Sequence, residues 1–531
     1  MVNNTLFIVA IFWGVWIIIP IFFDGLFAFI YMITIFLKGE KDSGPVKVAY
    51  LNLPKVTVII PTYNEEKNID LCLDHLRMQT YPHPKMEIIV VDNGSTDKTE
   101  KIVRDYINEV KQCQDHLCGQ MRISQDGSLD KYGSFIRLIT LKEKGKAKAL
   151  NTGIQKAQGK IIINIDSRSF LKEEAIYNMV KKFIQYPQYG ALTGNVEIDW
   201  GLARKIDIKF SPESKPVKVI KRELTRKEIF LGKSQFLEYL VSFRLGREFQ
   251  DISDSIYTLS GAFSGFKREV LGLSEYKARS LAEDTDITLD LQDQKIRIGY
   301  AKEAKAFLKP VYSFEGFFSQ RVRWHRGQIE VVGLHLDYYG NLKRKFWRGF
   351  FHNSLLVKDH TFSFPRLMWT FMLPLLALFG YSMALILKVI ILMWLFYILI
   401  DFLNTLFCYL VVDKDTRLKI KESVQYNFVT PFFRLIEYYF RFAGYIKVLK
   451  EPPAWSTPIN PLKGLKLWRD GIYSKFNKSP LLRKLHLPLL PIAETPDKIS
   501  EEDGYGLSKL NGRNGNGKFN HQLDGIFKNG K

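Results

Sequence analysis

A chain of 531 residues has room for more than one domain, and with 46% hydrophobic and 14% aromatic residues it can build a large core and apolar spans besides. That composition excludes a disordered chain, and only four cysteines at this length (Cys72, Cys113, Cys118 and Cys408) exclude a disulfide framework. Lys+Arg 76 against Asp+Glu 55 gives a formal net charge of +21, which suits an anionic membrane face or a phosphate-bearing ligand; no nucleic-acid-binding signature accompanies it, so no nucleic-acid partner is expected.

Residues 6–37 are almost wholly apolar, broken only by Pro20 and Asp24. They lack a basic leader and a small-residue cleavage site, so residues 1–40 read as a membrane anchor rather than a cleaved signal. Lys38, Lys41 and Lys47 follow, which by the positive-inside rule puts the next region in the cytoplasm. An acid in an apolar run flags function, but this run exceeds the roughly 20 residues a span needs, so Asp24 fits an interface or a break after Pro20 equally well.

Three strand, loop, helix units come next. VTVIIPTYNEE (56–66) leads into a helical pattern through Leu71, Leu73 and Leu76; MEIIVVDNGSTDKT (86–99) leads into a helix from about Lys98; IIINIDSRSFLKEEAI (161–176) repeats the arrangement. Alternating strands and helices predict an α/β domain with a mainly parallel sheet, helices on both faces and ligands off the carboxyl ends of the strands. Asp92, Asn93 and Asp166 fall at such ends, as ligand-binding or as loop-capping residues.

Residues 111–134 are polar without a convincing period and read as a surface insertion. In LKEKGKAKALNTGI (141–154), Lys144, Lys146 and Lys148 precede a helix, either as a solvated basic face or as cations entering a cleft floored by aspartates. The charged stretch 205–233, with Pro212 and Pro216, reads as a flexible excursion. In IYTLSGAFSGFKREVL (256–271), Gly261 and Gly265 mark a close backbone approach or a bulge.

Two strings then carry most of the chemistry. SLAEDTDITL (280–289) is acidic at a helix start, which the helix dipole alone would favour; a carboxylate there can also take a proton from a hydroxyl. FFSQRVRWHRGQ (317–328) suits a solvated basic face, a juxtamembrane anchor, or guanidinium groups that stabilise developing negative charge.

Residues 364–387 and 389–412 are each long enough to cross a bilayer, with Lys388 expected at a tight turn between them and a Lys- and Arg-rich cytoplasmic loop at 413–422. In 428–448, Arg434, Glu437 and Arg441 share one side at helical spacing, which favours an interfacial helix over a further crossing. The basic tail, 451–531, reads as disordered from about residue 504.

Seven strings in order, PTYNEE (61–66), VVDNGSTD (90–97), GKAKALN (145–151), IDSRS (165–169), SGAFSGF (260–266), AEDTD (282–286) and QRVRW (320–324), resemble the family 2 glycosyltransferases, specifically the membrane-embedded branch with the cellulose, hyaluronan and poly-N-acetylglucosamine synthases. The resemblance implies a cytoplasmic GT-A domain over residues 50–345, a transmembrane hairpin over 360–412 and an interfacial or transmembrane helix over 424–450, in a multi-pass protein of the cell membrane. It implies inverting transfer of a sugar from a UDP-sugar to a growing β-linked polysaccharide or other glycan acceptor, without a covalent intermediate. The alternatives are a single-sugar transferase acting on a lipid carrier and a catalytically impaired membrane partner that keeps the nucleotide fold.

Carried over by position, the resemblance makes Asp284 the general base beside Glu283, and places Pro61, Thr62, Glu65 and Asp92 around the uridine with Lys146 near the nucleotide. Asp166 would hold a divalent Mg or Mn on the diphosphate; Gln320, Arg323 and Trp324 would close on the diphosphate and acceptor, and Ser260, Gly261 and Ala262 would border the acceptor sugar. One departure stands out. Where the family has Asp-x-Asp, this chain has Asp166-Ser167-Arg168, so either Asp166 holds the metal with another group, or Arg168 itself offsets phosphate charge, or catalysis is lost.

Overall fold

The structure is a computed structural model that describes residues 25–38, 52–118, 135–203, 224–335 and 375–450. The first part of the expected anchor with Asp24, residues 119–134 and 204–223, the first limb of the expected hairpin up to residue 374, and the tail all lie outside the described residues.

Helix α1 (Leu26–Lys38) precedes β1 (Val56–Thr62), α2 (Ile69–Arg77), β2 (Met86–Asp92), α3 (Thr99–Cys118), β3 (Phe135–Thr140), α4 (Lys146–Lys156), β4 (Ile161–Ile165), β5 (Ser169–Leu171), α5 (Ala175–Gln185) and β6 (Tyr189–Ile198). Then come α6 (Arg226–Tyr239), a π-helical turn (Leu240–Leu245), α7 (Gly246–Ile252), β7 (Phe263–Lys267), α8 (Arg268–Leu271), α9 (Glu283–Asp293), β8 (Arg297–Leu308) and α10 (Phe314–Leu334). The last elements are α11 (Met383–Val411), α12 (Lys414–Ser423) and α13 (Thr430–Lys450).

The eight strands form one sheet in the order β3-β2-β1-β4-β7-β6-β8-β5. β3, β2, β1 and β4 run parallel, as the repeated strand and helix units predict. β6 and β8 also pair in parallel, so six of the eight strands run in one direction and the sheet is mainly parallel, with two antiparallel exceptions: β7 lies antiparallel between β4 and β6, and β5 is antiparallel to β8. Small residues admit β7 there, since a side chain at Gly265 would crowd Met179 and Phe183 of α5 at 3.1 Å.

The central strands are buried on both faces, which is why they read as continuous apolar runs. Their side chains still alternate. Val58, Ile60 and Ile163 join the core with Leu73, Val103 and Met179 from α2, α3 and α5, whereas Ile59 and Ile162 face Ala149 and Leu150 of α4 and Ile287 of α9. Gly153 lets α4 lie close on the sheet, because a Cβ there would meet Ile59 Cγ2 at 2.6 Å. This contact sets the height of Lys146 at the helix's start.

Three expectations need correction. Helix α3 continues to Cys118, past the expected start of the insertion at residue 111, since nothing in VKQCQDHLC breaks a helix. The excursion expected over 205–233 contains the start of α6. Its signal is a capping box, in which Thr225 Oγ1 accepts the Glu228 N–H at 3.3 Å and Glu228 Oε2 accepts the Thr225 N–H at 2.9 Å. The turn expected at Lys388 does not form. α11 runs through that position, and the break lies earlier, at Gly380 with φ +83°.

Two of the three α13 side chains expected on an interfacial face, Arg434 and Glu437, are instead paired within the protein. Arg434 donates to Asp401 of α11 at 2.5 Å, and Glu437 lies 3.3 Å from Arg321 of α10. Arg321 is buried between α6, α10 and α13: it pairs with Glu238 at 2.6 Å and lies over the rings of Trp324 and Phe317, at 4.7 and 4.8 Å. We expect Arg321→Met to destabilise the protein by about 3–5 kcal/mol, because it leaves two buried carboxylates without their shared cation; denaturant titration followed by tryptophan fluorescence in detergent measures this, with Arg321→Lys recovering part of the loss.

Candidate active site

The ends of the parallel strands and the starts of two helices converge on one ammonium group. Lys146, the first residue of α4, places Nζ 2.8 Å from Asp166 Oδ1, just past β4, and 2.9 Å from Glu283 Oε1 at the start of α9. Burial alone would depress its pKa, but Asp166 and Glu283 override this and hold it above the ordinary lysine value. Of the three lysines in the GKAKALN region, only Lys146 enters the cleft. Lys144 lies over the ring of Tyr63 at 4.9 Å, and Lys148 pairs with the exposed Glu143.

Asp284 follows Glu283 in the first turn of α9. Its Oδ1 accepts the Thr285 N–H at 2.8 Å and its Oδ2 accepts the Gly261 N–H at 3.2 Å. Burial, then the neighbouring Glu283 charge, push its pKa up to about 6, with Lys146 and the two N–H donors pulling the other way. Gly261 leaves room for this group: a Cβ there would come within 3.1 Å of Lys146 Nζ, tight enough to push the ammonium, and would touch Asp284 Oδ2 at 3.5 Å and Asp166 Oδ2 at 3.9 Å. Ser260 and Ala262 flank it, with the Ala262 N–H donating to Ser260 Oγ at 3.3 Å.

Arg323 of α10 faces this group. Burial lowers its pKa, while the charges of Glu283, Asp166 and Asp284 draw it back and that of Arg168 opposes them, so all five groups share one electrostatic neighbourhood. Trp324 lies beside the Tyr239 ring, 6.5 Å between centroids. Gln320 stands one turn earlier on α10, with its Oε1 buried and unpartnered among the described residues.

The residues expected around a base and ribose are less uniform. Pro61 and Thr62 end β1, and the Thr62 carbonyl accepts the Asn93 N–H at 2.8 Å. Asp92 caps its own loop through the N–H and hydroxyl of Ser95, and Asn93 accepts the Gly145 N–H at 2.8 Å, so both carry the loop-capping contacts. Both carboxylate oxygens of the buried Glu65 are engaged, Oε1 by Arg168 Nε at 2.5 Å and Oε2 by Asn68 at 2.9 Å.

Four supporting residues were not singled out from the sequence. Asn151 exchanges two hydrogen bonds with the Tyr276 backbone at 2.8 and 3.0 Å, and the Tyr276 hydroxyl accepts from Asn164 at 2.7 Å, which ties α4 to β4. Asn151 belongs to the GKAKALN string, the one signal that could have found it. Arg247, buried on α7, is a cation acted on by the Asp284 charge.

Asp286, Asp290 and His335 form a separate group with ligand atoms within 4.8 Å of one another. Arg279 already fills its centre: it grips Asp286 with two hydrogen bonds at 2.9 and 2.7 Å and reaches Asp290 at 3.5 Å. His335 Nε2 lies 2.7 Å from Asp286. This is an ion-pair cluster that fastens α9 to the end of α10.

Residues 57–272 match the family described as glycosyl transferase family 2, and residues 237–412 match glycosyl transferase family group 2. The chain is a glycosyltransferase. It belongs to family 2, with an eight-stranded α/β sheet. Among curated relatives, the poly-beta-1,6-N-acetyl-D-glucosamine synthase of Staphylococcus aureus (strain COL) is 26% identical over 294 residues, 55% of this chain and 58% of that protein. Its Staphylococcus epidermidis counterpart is 25% identical over 317 residues, 60% and 64% of the two chains. The chain thus spans less than two thirds of these relatives' length. Among solved structures, the mannosyltransferase PcManGT from Pyrobaculum calidifontis in complex with GDP-Man and Mn2+ aligns with a TM-score of 0.48 at 18% identity, covering 80% of this chain and 94% of that one. Staphylococcus aureus TarS 1–349 aligns with a TM-score of 0.30 at 21% identity, covering 52% and 65%.

Because Arg279 neutralises the Asp286 group, Mn2+ should shift the melting temperature of the wild type and of Asp290→Asn equally. A shift lost in the variant would place an ion there instead.

Proposed function

We propose that this protein is a membrane-bound, inverting glycosyltransferase that moves a sugar from a cytoplasmic UDP-sugar to a growing β-linked polysaccharide or other glycan. The observation that carries the reading is Asp284: a carboxylate with a raised pKa, aimed by two backbone N–H groups beside Gly261 and flanked by a permanent cation. Asp284 takes the proton from the acceptor hydroxyl as its oxygen attacks the anomeric carbon, and the bond from that carbon to the diphosphate oxygen breaks in the same displacement. UDP leaves with the bonding pair. Lys146 and Arg323 oppose the negative charge that grows on it.

A magnesium or manganese ion bound with a nucleotide takes one or two carboxylates, the rest of its shell coming from phosphate oxygens and water. Asp166, with 38% of its side chain exposed, supplies one carboxylate, and Arg168 occupies the position of the second with a cation. The residues fit an ion that arrives with the donor and is held on the protein side by Asp166. When bound, it neutralises part of the leaving group's charge.

The membrane reading rests on α11. Its 29 residues have a mean hydropathy of 2.7 in their most apolar window, and Leu392, Leu395, Leu399, Leu403, Leu406 and Leu410 point outward. Among the described residues it is the one helix long and apolar enough to cross a bilayer; α1 is apolar but shorter. The relatives' product makes UDP-N-acetylglucosamine the first donor to try.

The test is UDP release by detergent-purified protein with UDP-N-acetylglucosamine, UDP-glucose, UDP-galactose and UDP-glucuronate, each with Mn2+, Mg2+ or chelator. We expect release with one donor, reduced by roughly 10² to 10⁴ in Asp284→Asn. Release that survives the substitution rejects Asp284 as the base. Since the base works only ionised, kcat/KM should be flat above pH 7 and fall as the pH drops through about 6; a pH profile with Asp284→Glu alongside checks the assignment, because the limb should move with the substituted carboxyl.

A further inference from the structure

The family resemblance leaves Arg168 as an anomaly; its surroundings give it a task. Nε donates to Glu65 Oε1 at 2.5 Å, and Glu65 is buried while the Arg168 side chain is 69% exposed. Glu65 is fixed in turn: its N–H donates to Thr99 Oγ1 at 2.8 Å, and its Oε2 accepts from Asn68, which also receives Lys309 Nζ at 2.9 Å. A guanidinium is a rigid plane with five donors, so holding Nε fixes the direction of both terminal nitrogens. Among the described residues those nitrogens take no protein partner.

Arg168 stands two residues from Asp166, and its charge reaches Arg323 across the cleft. The cleft thus carries cations on two sides of the place where the proposed diphosphate lies. An aspartate at 168 would reverse this, adding a carboxylate beside Asp166 and leaving buried Glu65 without its counter-ion. Arginine is the residue suited to bidentate contact with phosphate oxygens, and a hydrogen bond between charged groups is stronger than a neutral one.

Resting on the reading of this cleft as a UDP-sugar site, we propose that Arg168 is a diphosphate-binding residue, oriented by Glu65, that takes over part of the charge neutralisation a second metal-binding carboxylate would otherwise recruit. The donor nucleotide is then held by protein cations even without a metal, and metal adds little to its affinity. Arg168 also favours donors that carry a full diphosphate over nucleoside monophosphates, since its contact lies on the phosphates and not on the base.

Calorimetric titration of the full-length protein in detergent with UDP and with UMP, each with Mn2+ or with EDTA, tests this without turnover. The wild type should bind UDP in EDTA within about fivefold of its affinity in Mn2+. Arg168→Gln should weaken UDP binding about tenfold in EDTA and leave UMP binding unchanged, the loss expected when one charged hydrogen-bond donor is removed. Arg168→Lys should recover part of the loss, and Arg168→Asp should make UDP binding depend on Mn2+ by tenfold or more. A purely structural role would move UDP and UMP together and leave the metal dependence alone. If the wild type binds UDP and Arg168→Gln binds it equally well in EDTA, the role of Arg168 is wrong and the nucleotide site stands. If the wild type binds neither nucleotide under any condition, the UDP-site reading fails and this inference falls with it.

Discussion

The shared ammonium of Lys146 is the constraint on which the site depends. Asp166 comes from the end of a parallel strand, Glu283 from the start of a helix more than a hundred residues later, and Lys146 from the start of a third element. Without the cation, two carboxylates and the adjoining Asp284 would repel one another in a poorly solvated cleft. With it, Glu283 is held at α9's first turn, and Asp284, the next residue, is turned toward the Gly261 N–H. The helix dipole of α9 adds in the same sense, so the simple reading of the EDTD string as favourable charge at a helix start and the functional one describe the same carboxylates.

Further polar networks carry this order outward. Asp413, at the junction of α11 and α12, pairs with Lys305, whose ammonium also lies 2.9 Å from Glu197 and donates to Thr416 at 2.8 Å. Although burial opposes it, Lys305 holds the Asp413 carboxyl well below the usual carboxylate range. Lys172 with Asp415 and Lys419 with Asp199 add two more links between α12 and the sheet domain. The apolar helix α11 is therefore joined to the site-bearing domain through a short charged helix, and α10, which carries Arg323, is joined to α13 through Arg321 and Glu437. On the membrane reading, movement of the apolar helices would reach Arg323 through packed, ion-paired elements rather than through a loose linker.

What the sequence made legible follows from range. Buried parallel strands announce themselves as β-branched runs, and the residues at their ends could be placed without knowing the neighbours, so β1, β2 and β4 and the position of Asp166 were readable. The partner of a charged side chain was not. By composition and spacing Lys144, Lys146 and Lys148 are equivalent and only the family resemblance pointed to Lys146; its contact to Glu283, far along the chain, was out of reach. In QRVRW, likewise, the resemblance pointed to Arg323, but nothing in the sequence said that Arg321 is buried in a structural ion pair between helices. The capping box at Thr225 and Glu228 was a local signal and went unread because the charged stretch around it suggested an irregular segment. The turn at Lys388 was expected from the length of the apolar run alone, and length does not locate a break; a left-handed glycine does.

The pairing of charges in the cleft also shapes how it must open to a ligand. Lys146 is committed to Asp166 and Glu283, and Arg168 to Glu65, so the main cations rest on carboxylates of the same cleft. Such pairing avoids leaving a bare charge in a poorly solvated place, which is costlier than an imperfect pair. A diphosphate entering the cleft, on the proposed reading, competes with these carboxylates for the same donors. Arg168 escapes this exchange because Glu65 holds only its Nε, leaving the outer edge of the guanidinium for a ligand while the pair stays intact. That difference in how the two cations are held is what lets one of them serve a nucleotide before any metal has bound.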